Sequence, residues 1–158
     1  MPALRERLSL AGYKEPATYL QSGNIVLTSR LGPRELEREL QERIASWFEL
    51  QVPVLVRTAG ELAEVVAANP LREVAENPKR YQVSFLSAPL DELAAARLRK
   101  LASDSERVEI IGREVYAWHP AGVRRSRLAS ALASRQLGVS VTARNWTTVT
   151  AVLELAQR

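Results

Sequence analysis

The hydrophobic positions of this chain change their spacing several times over short distances. Between Leu36 and Ile44 an apolar residue recurs every four positions, which predicts a helix over residues 34–48 with one buried face. Short, mostly apolar runs, such as residues 52–57 and 81–86, are typical of strands instead. Short helices and strands are therefore predicted to be mixed along the chain.

The order of the predicted elements repeats once. The first half is predicted to run helix, strand, strand, helix, strand, helix, and the second half strand, helix, strand, strand, helix, strand, helix. The two orders agree if the first half lacks its opening strand, and the common unit is the split βαβ arrangement. We therefore predict an α+β fold of two ferredoxin-like halves, the first without its opening strand. The predicted halves are residues 1–70 and 81–158, joined by a polar linker over residues 71–80.

The stretch TYLQSGNIVL, residues 18–27, is strand-like on both sides of a polar centre. Ser22-Gly23 at that centre matches Gly112-Arg113 in the second half, and glycine readily adopts the positive φ that two-residue hairpins need. A hairpin turn is therefore predicted. A turn alone does not require the flanking side chains of Gln21 and Asn24, so these two residues are kept as candidate ligand contacts.

The composition excludes several classes of site. With 46% hydrophobic and 25% charged residues, the chain of 158 residues resembles an ordinary soluble protein. No run reaches the roughly 18 apolar residues of a membrane span, and the N-terminus has no signal-peptide core, so the cytoplasm is the expected location. The lack of cysteine excludes disulfides, thiolate zinc sites and cysteine nucleophiles. One histidine and no glycine-rich nucleotide motif leave no cofactor to expect.

His119 is that single histidine, and it directly follows a predicted strand. General acid–base catalysis would need a partner that orients its ring. No acidic residue lies close to it in sequence, which favours an ordinary surface histidine over a catalytic one.

Positive charge is concentrated in the last third of the chain. From Arg113 onward seven arginines face only Glu114 and Glu154, a net charge of +5, whereas the first 112 residues carry a net charge of −1. Since arginine pairs bidentately with phosphates and carboxylates, this surplus indicates an anionic partner. A general preference for arginine over lysine explains it equally well, because the whole chain has only three lysines.

Two basic segments of the last third are candidate ligand sites. In PAGVRRSRLASAL, a serine is expected to cap a helix that runs to about Leu137, and the free N–H groups at its start would bind an anion together with nearby arginines. In TARNWTT, the start of the last helix brings together side chains that can contact phosphates or stack on bases. The alternatives are a serine-capped helix with solvated arginines, and a tryptophan that anchors its helix to the sheet. The candidate residues are Arg124, Arg125, Ser126, Arg127, Arg144, Asn145 and Trp146.

Three segments together resemble the bacterial domain of unknown function 1697 family: TYLQSGNIVL, GREVYAWHPAGVRRSRL and TARNWTTVTAVLEL. The resemblance covers essentially the whole chain and implies a fold of two ferredoxin-like halves, without implying a biochemical activity. Members of the family typically begin with a strand and a glycine-containing loop that this chain lacks, so we expect the true start to lie upstream of Met1 or the gene product to be truncated. The family commonly has a Ser-Lys pair where this chain has Ser126-Arg127, and arginine cannot replace a lysine that must lose its proton.

These observations lead to three hypotheses about function. The first is a binding module whose arginine-rich second half engages an anionic ligand, either a phosphorylated metabolite or nucleic acid. The second is an enzyme with a pocket between the two halves, to which Gln21, Ser22 and Asn24 contribute polar groups. The third is a structural or oligomerisation protein. The ligand, any reaction and the oligomeric state stay open.

Overall fold

The computed structural model describes residues 1–20 and 23–158, which form two compact units. One unit comprises Met1–Glu64 with Thr150–Arg158, and the other comprises Val65–Val149. These units are spatial groupings, so the predicted domain boundary over residues 71–80 stays a prediction. No helix within the described ranges is long and apolar enough to cross a lipid bilayer.

The first unit combines helices with a two-stranded antiparallel sheet. Its elements are α1 (Pro2–Leu10), β1 (Lys14–Tyr19), β2 (Asn24–Thr28) and α2 (Pro33–Phe48), followed by the start of α3 (Ala59–Ala68), which ends in the second unit. α2 begins at Pro33, as predicted, because proline fixes a helical φ and its missing N–H is not needed in the first turn. Leu36 and Leu40 on the buried face of α2 form one core with Leu8 of α1.

β1 and β2 form the predicted hairpin, but its connection is longer than expected. Tyr19 pairs with Asn24, so four residues separate the strands instead of two. The first of them, Leu20, has a φ of 56°, which ends the extended strand before the predicted turn. The predicted two-residue turn is therefore wrong in length, and Gln21 and Ser22 lie outside the described residues.

The predicted strand over residues 52–57 is wrong. This segment belongs to no sheet that the described residues form. Two of its backbone N–H groups nevertheless have acceptors, and the first is Val56 N, which donates to Glu37 Oε1 at 2.8 Å. Val54 N likewise donates to Gln41 Oε1 at 2.8 Å. In a split βαβ unit this segment would pair with the opening strand, and side chains of α2 provide acceptors instead.

The second unit contains a four-stranded sheet, one face of which packs against two helices of the same unit. Its elements are β3 (Tyr81–Leu86), α4 (Glu92–Leu101), β4 (Arg107–Ile111), β5 (Glu114–Trp118), α5 (Arg127–Ala133), a 3₁₀ turn (Arg135–Leu137), β6 (Val141–Asn145) and the start of α6 (Trp146–Ala156). The strand order is β4-β5-β3-β6, and every neighbouring pair is antiparallel. This is the order of a split βαβ unit, so the predicted α+β fold is confirmed.

The core of this unit lies between the sheet and the helices α4 and α5. Val115 and Ala117 of β5 meet Leu98 of α4 and Leu128 of α5, and all four side chains are fully buried. The cluster fixes both helices against the same face of the sheet, which is also the face that carries the polar site described below.

Two boundaries in this unit differ from the prediction. The helix after Ser126 ends at Ala133 and not near Leu137, because Ser134 is extended and a separate 3₁₀ turn follows. The last strand covers Val141–Asn145 and not residues 139–141. Its extension places Arg144 and Asn145 on the sheet and leaves only Trp146 at the start of the helix.

Candidate functional site

Glu106 and His119 face each other just beyond the paired ends of β4 and β5. Arg107 pairs with Trp118, so the next position outward places Glu106 opposite His119. The alternation of side chains along a strand directs both residues to the face that packs on α4 and α5. There His119 Nδ1 lies 2.5 Å from Glu106 Oε2, and the two residues are only 0% and 8% exposed.

Ser126 joins this pair from the N-cap position of α5. Its Oγ donates to Glu106 Oε2 at 2.6 Å and accepts from the Ala129 N–H at 3.0 Å. Glu106 Oε1 accepts a third hydrogen bond, from the Ser103 N–H at 3.0 Å. One buried carboxylate therefore connects the segment before β4, the end of β5 and the start of α5.

These hydrogen bonds keep Glu106 ionised. Burial by itself would raise the pKa of its carboxyl group. The hydrogen bonds from Ser126, the Ser103 N–H and His119 outweigh burial and hold the pKa below its ordinary value. A carboxylate of lowered pKa is a weak base, and the Ser126 oxygen is already engaged as both donor and acceptor. Ser126 therefore acts as the N-cap of α5 and connects that helix to the sheet through Glu106. The geometry gives no support to Ser126 as a nucleophile.

An open cavity of about 550 Å³ lies against this network. Three cations line it, and all three are exposed: Lys100 at the end of α4, and Arg125 and Arg127 on either side of Ser126. None of the three forms an ion pair with another described residue. Their charges are therefore available to a ligand.

Only part of the basic segment that the sequence singled out belongs to the cavity. Arg125, Ser126 and Arg127 line it, whereas Arg124 is exposed and lies outside the lining. α5 has seven residues, so the anion argument based on the dipole of a long helix loses its force. The positive charge of the cavity comes instead from the side chains of Arg125, Arg127 and Lys100. The sequence had not indicated Lys100.

The second basic segment is occupied by contacts within the fold. Asn145 Oδ1 accepts from the Thr148 N–H at 2.9 Å, which caps α6. Trp146 stacks on Tyr81, with ring centroids 4.8 Å apart and an interplanar angle of 18°. Arg144 is half-buried on β6, and this burial lowers its pKa. None of these three side chains lines the cavity, and the alternative that Trp146 anchors its helix describes its contacts best.

Of the two candidate residues in the first hairpin, only Asn24 lies within the described part of the chain. Asn24 Nδ2 donates to the Tyr19 carbonyl at 3.0 Å, a contact that closes the hairpin. Gln21 lies outside the described residues. The use of these side chains as ligand contacts stays a prediction.

His119 is the residue whose environment sequence reasoning described wrongly. It is fully buried and not at the surface, and its acidic partner, Glu106, lies 13 residues away in sequence. Its Nε2 atom is buried without a hydrogen-bond partner among the described residues. No group of three or more potential metal ligands occurs in the described part of the chain.

Comparison with known proteins shows a matching family and a solved structure of similar fold. The family described as "Protein of unknown function (DUF1697)" matches residues 1–116. The solved structure of a conserved bacterial protein from Streptococcus pneumoniae is similar, with a TM-score of 0.76 and 19% identity, over 99% of this chain and 88% of that chain. At that identity the likeness concerns the fold alone. No curated protein matches the chain.

Proposed function

This chain belongs to the DUF1697 family of proteins of unknown function, and we propose that its second unit binds an anionic ligand in the cavity beside Ser126. The proposal keeps the hypothesis of a binding module and assigns it to Lys100, Arg125 and Arg127. Phosphorylated small molecules and nucleic acids both belong to this class of ligand.

The charge of the cavity lining supports the proposal. Three positive side chains stand against one carboxylate, that of Glu106, which leaves a surplus of two positive charges. The negative charge of Glu106 is already compensated by three hydrogen bonds from the protein. An anion that enters the cavity therefore meets cations at the surface and a carboxylate that is largely engaged elsewhere.

The single observation that carries the proposal is that three exposed cations, none of them ion-paired with another described residue, converge on one concave surface. Arginine side chains at a protein surface are commonly solvated or ion-paired singly, whereas here Arg125, Arg127 and Lys100 share one cavity. Guanidinium groups bind phosphate oxygens bidentately, which favours phosphate over a simple halide ion.

Substitution of the cavity arginines tests the proposal, with pyrophosphate as the probe. Calorimetric titration should show binding to the wild-type protein that weakens as salt rises, and a loss of about fivefold to tenfold in Arg125→Ala and in Arg127→Ala. Arg135→Ala is the matched control, because Arg135 is an exposed arginine of the same unit outside the cavity lining. Undiminished binding in both cavity variants, or an equal loss in the control, would contradict the proposal.

A further inference from the structure

The cavity has a second kind of wall, which carries hydroxyl groups and a carboxylate in place of cations. Ser103 and Ser105 are both exposed, and their Oγ atoms lie 3.3 Å apart. With Glu106 they form the segment before β4 and line the same cavity as Arg125. We propose that the ligand is the phosphate monoester of a small polyhydroxy compound, with its phosphate at the cations and its hydroxyls at this wall. This identification rests on the proposed anion binding.

Glu106 determines which chemical groups the wall accepts. An ionised carboxylate only accepts hydrogen bonds and offers about four lone-pair positions. Ser126 and His119 use two of them on Oε2, and the Ser103 N–H uses one on Oε1. A ligand hydroxyl can donate to the remaining position, whereas a phosphate oxygen there would meet a like charge. The phosphate and the hydroxyls of a ligand are thereby directed to different sides of the cavity.

The two exposed serines extend this hydroxyl-binding wall. A serine hydroxyl donates one hydrogen bond and accepts two, so Ser103 and Ser105 can each exchange hydrogen bonds with a sugar-like hydroxyl. Leu101 and Ala102 add apolar surface to the lining, against which the C–H groups of a carbon chain or ring can pack. The volume of about 550 Å³ lies within the range of roughly 300–1,000 Å³ that small-molecule pockets occupy.

The distribution of the other arginines favours a compact ligand over a polymer. Arg113 lies in the β4–β5 turn, six residues before His119 and so roughly 20 Å away along the strand. Arg144 is half-buried on β6, and Arg158 pairs with Glu154. A single-stranded nucleic acid needs a groove of cations that follows its backbone. Lys100, Arg125 and Arg127 instead share one compact cavity.

Four probes test this identification: inorganic phosphate, glycerol 3-phosphate, ribose 5-phosphate and glucose 6-phosphate. We expect the best of the three monoesters to bind about tenfold more tightly than inorganic phosphate, because one or two additional hydrogen bonds form, one of them to a charged group. Ser105→Ala should reduce this advantage several-fold and leave the affinity for inorganic phosphate unchanged. Arg125→Ala should weaken the binding of every probe. Ser130→Ala, an exposed serine outside the lining, is the matched control.

The outcomes separate this inference from the proposed function. If no monoester binds more tightly than inorganic phosphate, or if Ser105→Ala leaves the advantage intact, the hydroxyl wall is overturned while anion binding stands. A thymidine oligonucleotide that binds more tightly than every monoester, with a steep dependence on salt, would also overturn the inference in favour of nucleic acid. If the oligonucleotide, pyrophosphate and all four probes fail to bind, both proposals fall.

Discussion

Ser126 Oγ donates a hydrogen bond of 2.6 Å to Glu106 Oε2 across 20 residues of sequence. Ser126 directly precedes α5, and Glu106 directly precedes β4. Because His119 contacts the same carboxylate from the end of β5, the start of the helix is fixed to both strands of the hairpin. Arg125 and Arg127 flank Ser126 in sequence, so the backbone that carries these cations is held in place before any ligand binds.

Removal of the Ser126 hydroxyl should destabilise the second unit. Ser126→Ala loses the N-cap of α5, worth about 1 kcal/mol, and a hydrogen bond to a buried carboxylate, worth about 1.5–3 kcal/mol. We therefore expect the free energy of unfolding to fall by about 2–4 kcal/mol in urea denaturation. Ser130→Ala changes an exposed serine of the same helix and should stay within about 0.5 kcal/mol of wild type. Equal effects of the two substitutions would contradict the structural role of Ser126.

The Glu106 carboxylate should make stability depend on acidic pH. Its pKa is lowered in the folded state, so the ionised form contributes stability above the ordinary glutamate pKa of about 4.3. That contribution is lost as pH falls through the lower folded-state pKa. The melting temperature of wild type should exceed that of Glu106→Gln. This difference should be largest near pH 7 and should shrink progressively below about pH 4.

Thermal melts between about pH 7 and pH 3 measure this margin. Glu109→Gln is the matched control, because Glu109 is an exposed glutamate on β4. A margin between wild type and Glu106→Gln that does not change with pH would show that the charge of Glu106 is not what stabilises the fold.

The pairing of Glu106 with His119 follows from a feature that the sequence already shows. A two-residue hairpin pairs positions that lie at equal distances from its turn, and both residues lie six positions from Gly112-Arg113. A search for acidic residues close to His119 along the chain misses this pair, because antiparallel strands bring together residues that are far apart in sequence. The turn at Gly112-Arg113 is predictable from the sequence, and the strand register that follows from it places Glu106 opposite His119.

Other parts of the site and fold could not be predicted in this way. Lys100 reaches the cavity because α4 packs beside α5, a tertiary contact that no local pattern encodes. The apolar run over residues 52–57 looks the same whether a strand or side chains of a helix accept its N–H groups. Periodicity reports which residues are buried and leaves the identity of the hydrogen-bond partners undetermined.

Tyr81 should make the protein sensitive to alkaline pH. Its hydroxyl donates to Asn69 Oδ1 at 2.9 Å, and burial raises its pKa to about 12. A raised folded-state pKa means that the stabilisation is complete below the ordinary tyrosine pKa of about 10 and is lost as pH rises from there toward about 12. Wild type should therefore lose stability more steeply over this interval than Tyr81→Phe.

Urea denaturation at a series of pH values between about 8 and 12 measures the difference. Tyr116, whose pKa burial also raises, is present in both proteins, so Tyr81→Phe should still lose some stability at alkaline pH and the difference in steepness is what the comparison measures. Tyr19→Phe serves as the control substitution in the first unit. Parallel pH profiles for wild type and Tyr81→Phe would rule out Tyr81 as the group responsible.

The extended segment over residues 52–57 should depend on Glu37, whose carboxylate accepts a hydrogen bond from it, for its position in the first unit. Glu37 Oε1 accepts from the Val56 N–H at 2.8 Å, and Val56 packs against the core of the first unit. Glu37→Ala leaves a partly buried N–H without this acceptor and should lower the free energy of unfolding by about 1–3 kcal/mol. Glu37→Gln keeps an oxygen at the same position and should restore most of that loss, while Glu42→Ala, on an exposed position of α2, should change stability by less than about 0.5 kcal/mol.

Hydrogen exchange at the Val56 amide reports the contact directly, because it should accelerate in Glu37→Ala and stay slow in Glu37→Gln. Equal exchange rates in the two variants would show that the carboxylate oxygen does not hold this segment in place.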